Sequence, residues 1–251
     1  MNSATATIDH QIESNDEWLR ASREFLEKEK EFTRLSDDLA RRRRELPWTP
    51  VEKEYTFDSP RGKMSLEDLF DGRSQLATYH FMLGPDWEEG CPGCSFVTDH
   101  INGTVEHLRA QDVMLVLVSR APLDKIAAFN KRMGWHVPWV SSLNCDFNYD
   151  FGVSFTKEDV DTGAQEYNLG TRAPYAEENP GMSFFVKDAS GGIFRTYSTY
   201  ARGLEALLTT YAILDRTAHG RNEGQPKPMA WVRHHDKYEP TVQLAGSCCH
   251  K

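Results

Sequence analysis

Residues 14–45 run without a glycine or proline, and Trp18, Phe25, Phe32, Leu35 and Leu39 recur along them at helical spacing. Ser14 with Glu17 three residues on has the form of a capping box, and Leu46-Pro47-Trp48 stops the pattern. This predicts one amphipathic helix of about 45 Å, at 1.5 Å per residue, whose apolar stripe packs on the rest of the chain or on a second copy. From Pro50 onward the period changes. VEKEYTFDSP predicts a strand carrying Tyr55 and Phe57, SPRGKMSLEDLF a turn and short helix, and SQLATYHFML a strand that ends at Gly84-Pro85. A helix follows to about Arg109, and the unbroken apolar run DVMLVLVSR then reads as a strand buried on both faces. PLDKIAAFNKRM is the next helix and WHVPWVSS a short strand, before a loop-rich insert at 144–180. MSFFVKDASGGIFRTYSTY reads as a hairpin turning at Ser190-Gly191-Gly192, followed by the helix GLEALLTTYAILDR and a tail. Strands alternating with helices, then a hairpin and a final helix, imply an α/β fold: a mixed sheet flanked by helices.

Composition narrows the functional classes. No apolar run approaches the roughly 18 residues that a membrane span needs. The first residues have neither a basic nor an apolar leader segment, so the expected location is cytoplasmic, where thiols stay reduced. A net charge of −9 argues against nucleic acid as partner, and Arg41 to Arg44 read as cations suited to a helix C-terminus.

The candidate chemistry lies in PDWEEGCPGCSF, where Cys91 and Cys94 stand at CxxC spacing at the predicted start of a helix. Unpaired N–H groups and the helix dipole favour a thiolate at Cys91, and Cys94 one turn later is placed to resolve a mixed disulfide. Pro92 suits the first helical position. Against this, Asp86, Glu88 and Glu89 crowd the pair and are expected to raise the Cys91 pKa. The alternatives are a soft metal or metalloid site, with zinc or Cu(I) as the metal, and a scaffold without thiol chemistry.

Taken together, the strings FMLGPDWEEGCPGCSF, VSRAPLDKIAAFNKRMGW, PWVSS, DFNYDFGVSF, TYSTYARGLEAL and PMAWVRHHDKY resemble a bacterial thioredoxin-like family catalogued as domain of unknown function 899. The resemblance covers nearly the whole chain. It implies a thioredoxin-like mixed sheet at 50–228, with an N-terminal helical arm at 1–49 and a C-terminal extension at 229–251 that ends in Ser-Cys-Cys-His-Lys. Where thioredoxins carry a cis-proline, the alignment puts Met182, with Pro180 two residues before it.

The remaining candidates are secondary. Cys248, Cys249 and His250 form a soft-ligand tail able to assist or resolve the pair, or to complete a metal site with it. Trp87, Pro92, Trp139 and Met182 are candidate pocket residues, and Trp135, Trp139, Phe147, Tyr149, Phe151 and Phe155 form a dense aromatic group that suits core or pocket. Adjacent His234 and His235 face opposite sides of a strand, which would pair His234 with Asp236 on one face. His80 reads as a buried, satisfied side chain, Cys145 as structural, and Arg120 as an anion ligand at the end of the sheet. The expectation is a dithiol–disulfide oxidoreductase or thiol-dependent reductase with Cys91 attacking and Cys94 resolving. It would act on a disulfide-containing or small thiol-reactive substrate. Electrons would come from a cellular thiol or reductase, no bound cofactor is required, and the helical arm would pair two copies.

Overall fold

The computed structural model describes residues 10–224 and 228–239. The chain divides into two compact units, one up to Pro47 and one from Trp48.

The first unit is α1 (Asn15–Arg44), opened by a complete Ser14–Glu17 capping box and closed by four arginines in its last turn. Trp18, Phe25, Phe32, Leu35 and Leu39 form the expected stripe, and all five are exposed. Ion pairs at i,i+3 and i,i+4 spacing, Glu27 with Lys30 and Asp38 with Arg41 and Arg42 among them, brace the polar face.

The second unit contains one sheet of eight strands among the described residues. It opens with β1 (Thr49–Pro50), β2 (Thr56–Ser59) and β3 (Gly62–Ser65), then a 3₁₀ turn at Asp68–Phe70 and β4 (Gln75–His80). Next come α2 (Pro92–Ile101), α3 (Val105–Ala110), β5 (Val113–Ser119), α4 (Leu123–Met133) and β6 (Trp139–Ser141). The insert holds only α5 (Phe147–Asp150) and α6 (Lys157–Thr162). After it follow β7 (Gly181–Lys187), β8 (Ile193–Tyr200), a 3₁₀ helix at Ala201–Leu207 and α7 (Thr209–Leu214).

Strand order is β1-β8-β7-β4-β5-β6-β2-β3. β4, β5 and β6 run parallel, while β7 pairs antiparallel with β4 and β8 with β7. A parallel strand–helix–strand unit joined to an antiparallel hairpin and a final helix is the thioredoxin-like arrangement. β5 lies between two parallel partners, and six of its seven residues are buried, as its unbroken apolar run requires. Pleating divides its side chains. Leu115 and Leu117 join Tyr79, Phe81, Cys94 and Phe129 on one face, whereas Met114, Val116 and Val118 join Phe57, Phe70 and Phe147 on the other.

Four local expectations change, the first at GLEALLTTYAILDR, which splits into the 3₁₀ helix at Ala201–Leu207 and α7. SPRGKMSLEDLF forms the second strand of a β2–β3 hairpin, with Phe57 opposite Met64, before its turn of 3₁₀ helix. The helix after the cysteines breaks into a 3₁₀ turn at Asn102–Thr104, since Gly103 weakens it and the Asn102 side chain is drawn to the His136 N–H at 2.7 Å. His234 and Asp236 lie in no strand: a 3₁₀ turn at His235–Lys237 separates their directions. Among the described residues, no helix is long and apolar enough to cross a membrane.

Candidate functional site

The polypeptide leaves β4 at His80 and returns to the sheet's end through a ten-residue loop that closes on Gly90. A side chain at Gly90 would meet the rings of Phe81 and Phe129, its Cβ lying 2.5 and 2.8 Å from them. Glycine is therefore dictated by close approach, and the next residue is pressed onto the helix start. Cys91 is the N-cap of α2 and Pro92 its first residue. The Cys91 N–H donates to the Met82 carbonyl at 3.0 Å, and the Met82 N–H donates to the Cys94 sulfur at 3.5 Å. One peptide segment thus grips both cysteines.

Both thiols are free, Cys91 half-buried and Cys94 buried. The Cys94 thiol hydrogen-bonds the Cys91 sulfur, and with the N–H groups of Cys94 and Gly93 this pulls the Cys91 pKa down to about 7 against the opposing effect of burial. Cys94 is pushed well up, first by burial and then by its donation to Cys91. The expected influence of the acidic residues does not materialise. Glu89 is held by Lys237 at 2.7 Å, Arg132 at 3.4 Å and His234 at 3.1 Å, and none of the three carboxylates acts on Cys91.

A cavity of about 460 Å³ adjoins the two sulfurs. Tyr79, Met82, Val97, Leu204 and Leu208 line its depth, with Tyr175, Pro180 and Met229 nearer the mouth. Trp87, Pro92, Trp139 and Met182 do not line it. Trp139 is buried with its indole N–H donated to Ser119 Oγ at 3.0 Å, and Trp87 lies over Gly84. Pro92 starts α2, and Met182 sits within the core opposite Tyr79 in the β4–β7 register. Pro180, immediately before β7 and two residues ahead of Met182, does line the cavity.

Sequence reasoning missed four contributors. The Tyr79 hydroxyl is fully buried, makes no regular hydrogen bond, and is held protonated by burial and by the nearby Cys94 sulfur. Its signal was its place on the strand leading to the cysteines. Tyr175 comes from the insert and donates to the Met82 sulfur at 3.8 Å. Met229 and Glu223 come from the segment after α7. One oxygen of Glu223 accepts from the Tyr211 hydroxyl at 2.6 Å, the Met229 N–H at 3.0 Å and the Trp231 indole at 2.9 Å. Nothing in the local sequence marks these three.

Other candidates fall elsewhere. His234 is buried and donates through Nε2 to the Gly90 carbonyl at 2.7 Å, while Asp236 pairs with Arg132 at 2.7 Å, so the expected His–Asp pair does not form. Arg120 is engaged by buried Glu178 at 2.9 Å and lies over the Tyr149 ring, which removes it as an anion ligand. Cys145 borders the opposite core. Phe147 and Phe151 pack in that same core, and Trp135 and Trp139 in the one containing Cys94. Among the described residues, no group of three His, Cys, Asp or Glu side chains is arranged to hold a metal ion. Zinc or Cu(I) binding would need Cys248, Cys249 or His250, which lie outside the described residues.

The family model described as "Bacterial protein of unknown function (DUF899)" matches residues 7–238. No curated protein matches the sequence. Similar solved structures include the peroxidoxin BcpB of Mycobacterium tuberculosis, at 16% identity over 65% of this chain and 94% of that one, with a TM-score of 0.44. PrxQ of Xylella fastidiosa aligns at 13% identity over 66% and 94%, TM-score 0.42. A hypothetical protein of Sinorhizobium meliloti 1021 aligns at 12% over 59% and 68%, TM-score 0.37. At this distance the likeness is one of outline, and the fold assignment rests on the strand order itself.

Proposed function

The chain belongs to the bacterial DUF899 family, and from its cysteine pair we propose that it is a dithiol–disulfide oxidoreductase of a reducing, cytoplasmic compartment. The observation that carries this reading is the asymmetry of the pair. Cys91 sits at the start of α2 with its pKa lowered to about 7, and Cys94 is buried beneath it as its hydrogen-bond donor. An attacking thiol is most effective when its pKa lies near ambient pH.

The Cys91 thiolate attacks one sulfur of a substrate disulfide. The S–S bond breaks, a Cys91–substrate disulfide forms, and the first substrate thiolate leaves and takes up a proton. Cys94 then gives up its proton and attacks the Cys91 sulfur, releasing the second thiol and leaving a Cys91–Cys94 disulfide. The substrate gains two electrons and the protein loses two. A cellular dithiol or a reductase restores the reduced pair, so no bound cofactor takes part.

The test uses the full chain with Cys145, Cys248 and Cys249 changed to Ser. Titration against a thiol–disulfide buffer, with alkylation and mass readout, is expected to show one reversible two-electron couple joining Cys91 and Cys94. Alkylation of Cys91 should rise with pH through a midpoint of about 7. Failure to form that disulfide under oxidising buffer, or a midpoint above about 9, sinks the reading.

A further inference from the structure

We propose that the cavity beside the cysteines binds a small, largely apolar organic disulfide bearing an acidic group, rather than the disulfide of a folded protein. This names the substrate class for the dithiol reading above and rests on it.

The walls carry the argument. At about 460 Å³ the cavity falls within the range that encloses a small organic ligand. Two segments that lie outside the strand–helix core add to its lining. The insert contributes Tyr175, fixed through its N–H to the Asn179 side chain at 3.3 Å and its hydroxyl to Met82. The segment after α7 contributes Met229, fixed by Glu223 at 3.0 Å. Met229 holds a left-handed backbone, φ +63°, and so does Ala201 at φ +47°. Both line the cavity, and strain of this kind persists where surroundings over-determine it. Tyr175 and Met229 beside the sulfurs make a lining that suits a small molecule better than the broad approach of a folded protein.

Charge at the mouth supplies the second constraint. Arg202 is committed to Glu205, at 2.9 Å. Arg172 borders the cavity with its guanidinium 5.5 Å from the Tyr175 ring centre, and among the described residues no carboxylate forms an ion pair with it. On a chain of net charge −9, the uncommitted group facing the substrate is a cation. The depth of the cavity is Val97, Leu204, Leu208 and Met82, which suit an apolar body.

The test is single turnover by the reduced full chain, with Cys145, Cys248 and Cys249 changed to Ser. Three disulfides are compared: 5,5′-dithiobis(2-nitrobenzoate), neutral 2,2′-dithiodipyridine and insulin. Each rate is divided by that of dithiothreitol with the same disulfide. The expected result is a rate that saturates with the anionic aromatic disulfide and half-saturates at lower concentration than with the neutral one. Insulin should show no advantage over dithiothreitol. Arg172→Ala should raise the half-saturating concentration for the anionic compound about fivefold and leave that for the neutral one unchanged. Met229→Trp, which fills the mouth, should slow both. Preference for insulin, or an Arg172→Ala variant that treats both aromatics as the parent does, overturns the substrate class. Absence of a Cys91–Cys94 disulfide by mass after reaction with either aromatic disulfide instead overturns the dithiol reading beneath it.

Discussion

Tyr79 and His80 are neighbours in β4, yet the pleat sends them to opposite faces of the sheet, and both side chains are buried. Tyr79 ends beneath the cysteines at the floor of a cavity, its hydroxyl without a regular partner. His80 ends among aromatics, its ring centre 5.5 Å from that of Phe147 and 6.0 Å from that of Phe151, and Nε2 3.1 Å from Ser183 Oγ. Burial lowers its pKa to about 4, so it is a neutral core side chain. Equal burial thus gives unequal consequences. A polar atom becomes chemically useful when a reactive group and an opening share its side of the sheet.

The largest effects should appear on the cysteine face. Cys91→Ser should lower disulfide reduction about a thousandfold or more, whereas Cys94→Ser should still attack and then stall. Intact-mass analysis distinguishes them: the Cys94 variant gains the mass of half a substrate, and the Cys91 variant gains none. Recovery of multiple turnovers by either variant would remove the division of labour between the pair. Tyr79→Phe is a smaller perturbation. Its hydroxyl is the donor at hand when Cys94 loses its proton, so release of the second thiol should slow about tenfold, with the first attack unchanged. Rapid-quench measurement of the two steps checks this, and equal slowing of both would reduce Tyr79 to a packing role.

On the opposite face, His80→Phe should leave turnover unaltered and change only stability against pH. The folded pKa lies below the unfolded value of about 6.5, so as pH falls the unfolded chain takes up the proton first. The contribution is complete above pH 6.5 and is lost between 6.5 and 4, about 3 kcal/mol at the most. Urea unfolding of parent and variant at pH 7 and pH 4.5 should show a steeper loss for the parent. Parallel losses would mean that His80 titrates normally.

The same contrast governs what could be read from the chain alone. β5 announced itself because both its faces are buried, and the β7–β8 hairpin because Gly191 and Gly192 interrupt two β-rich runs. Cys91, Cys94 and Pro92 were legible because strand, turn and helix cap are local. The cavity was not. Its walls come from residues 175, 180, 204 and 229, which meet the cysteines only through tertiary folding. Trp139, in contrast, had the composition of a pocket residue but faces the core. Charge misled for the same reason: Glu89 stands two positions from Cys91, yet its partners Lys237 and His234 lie more than 140 residues away.

The grip of the Met82 main chain on the Cys91 N–H and the Cys94 sulfur has a consequence for how such a protein diversifies. Because the hold comes from main-chain atoms, the residue at that position and its neighbours around the cavity are at liberty to vary in size and polarity while the spacing of the reactive atoms is inherited intact. Reactivity and selectivity then become separately adjustable: one framework can be refitted to new molecules by exchanging wall residues, with no retuning of the chemistry it delivers.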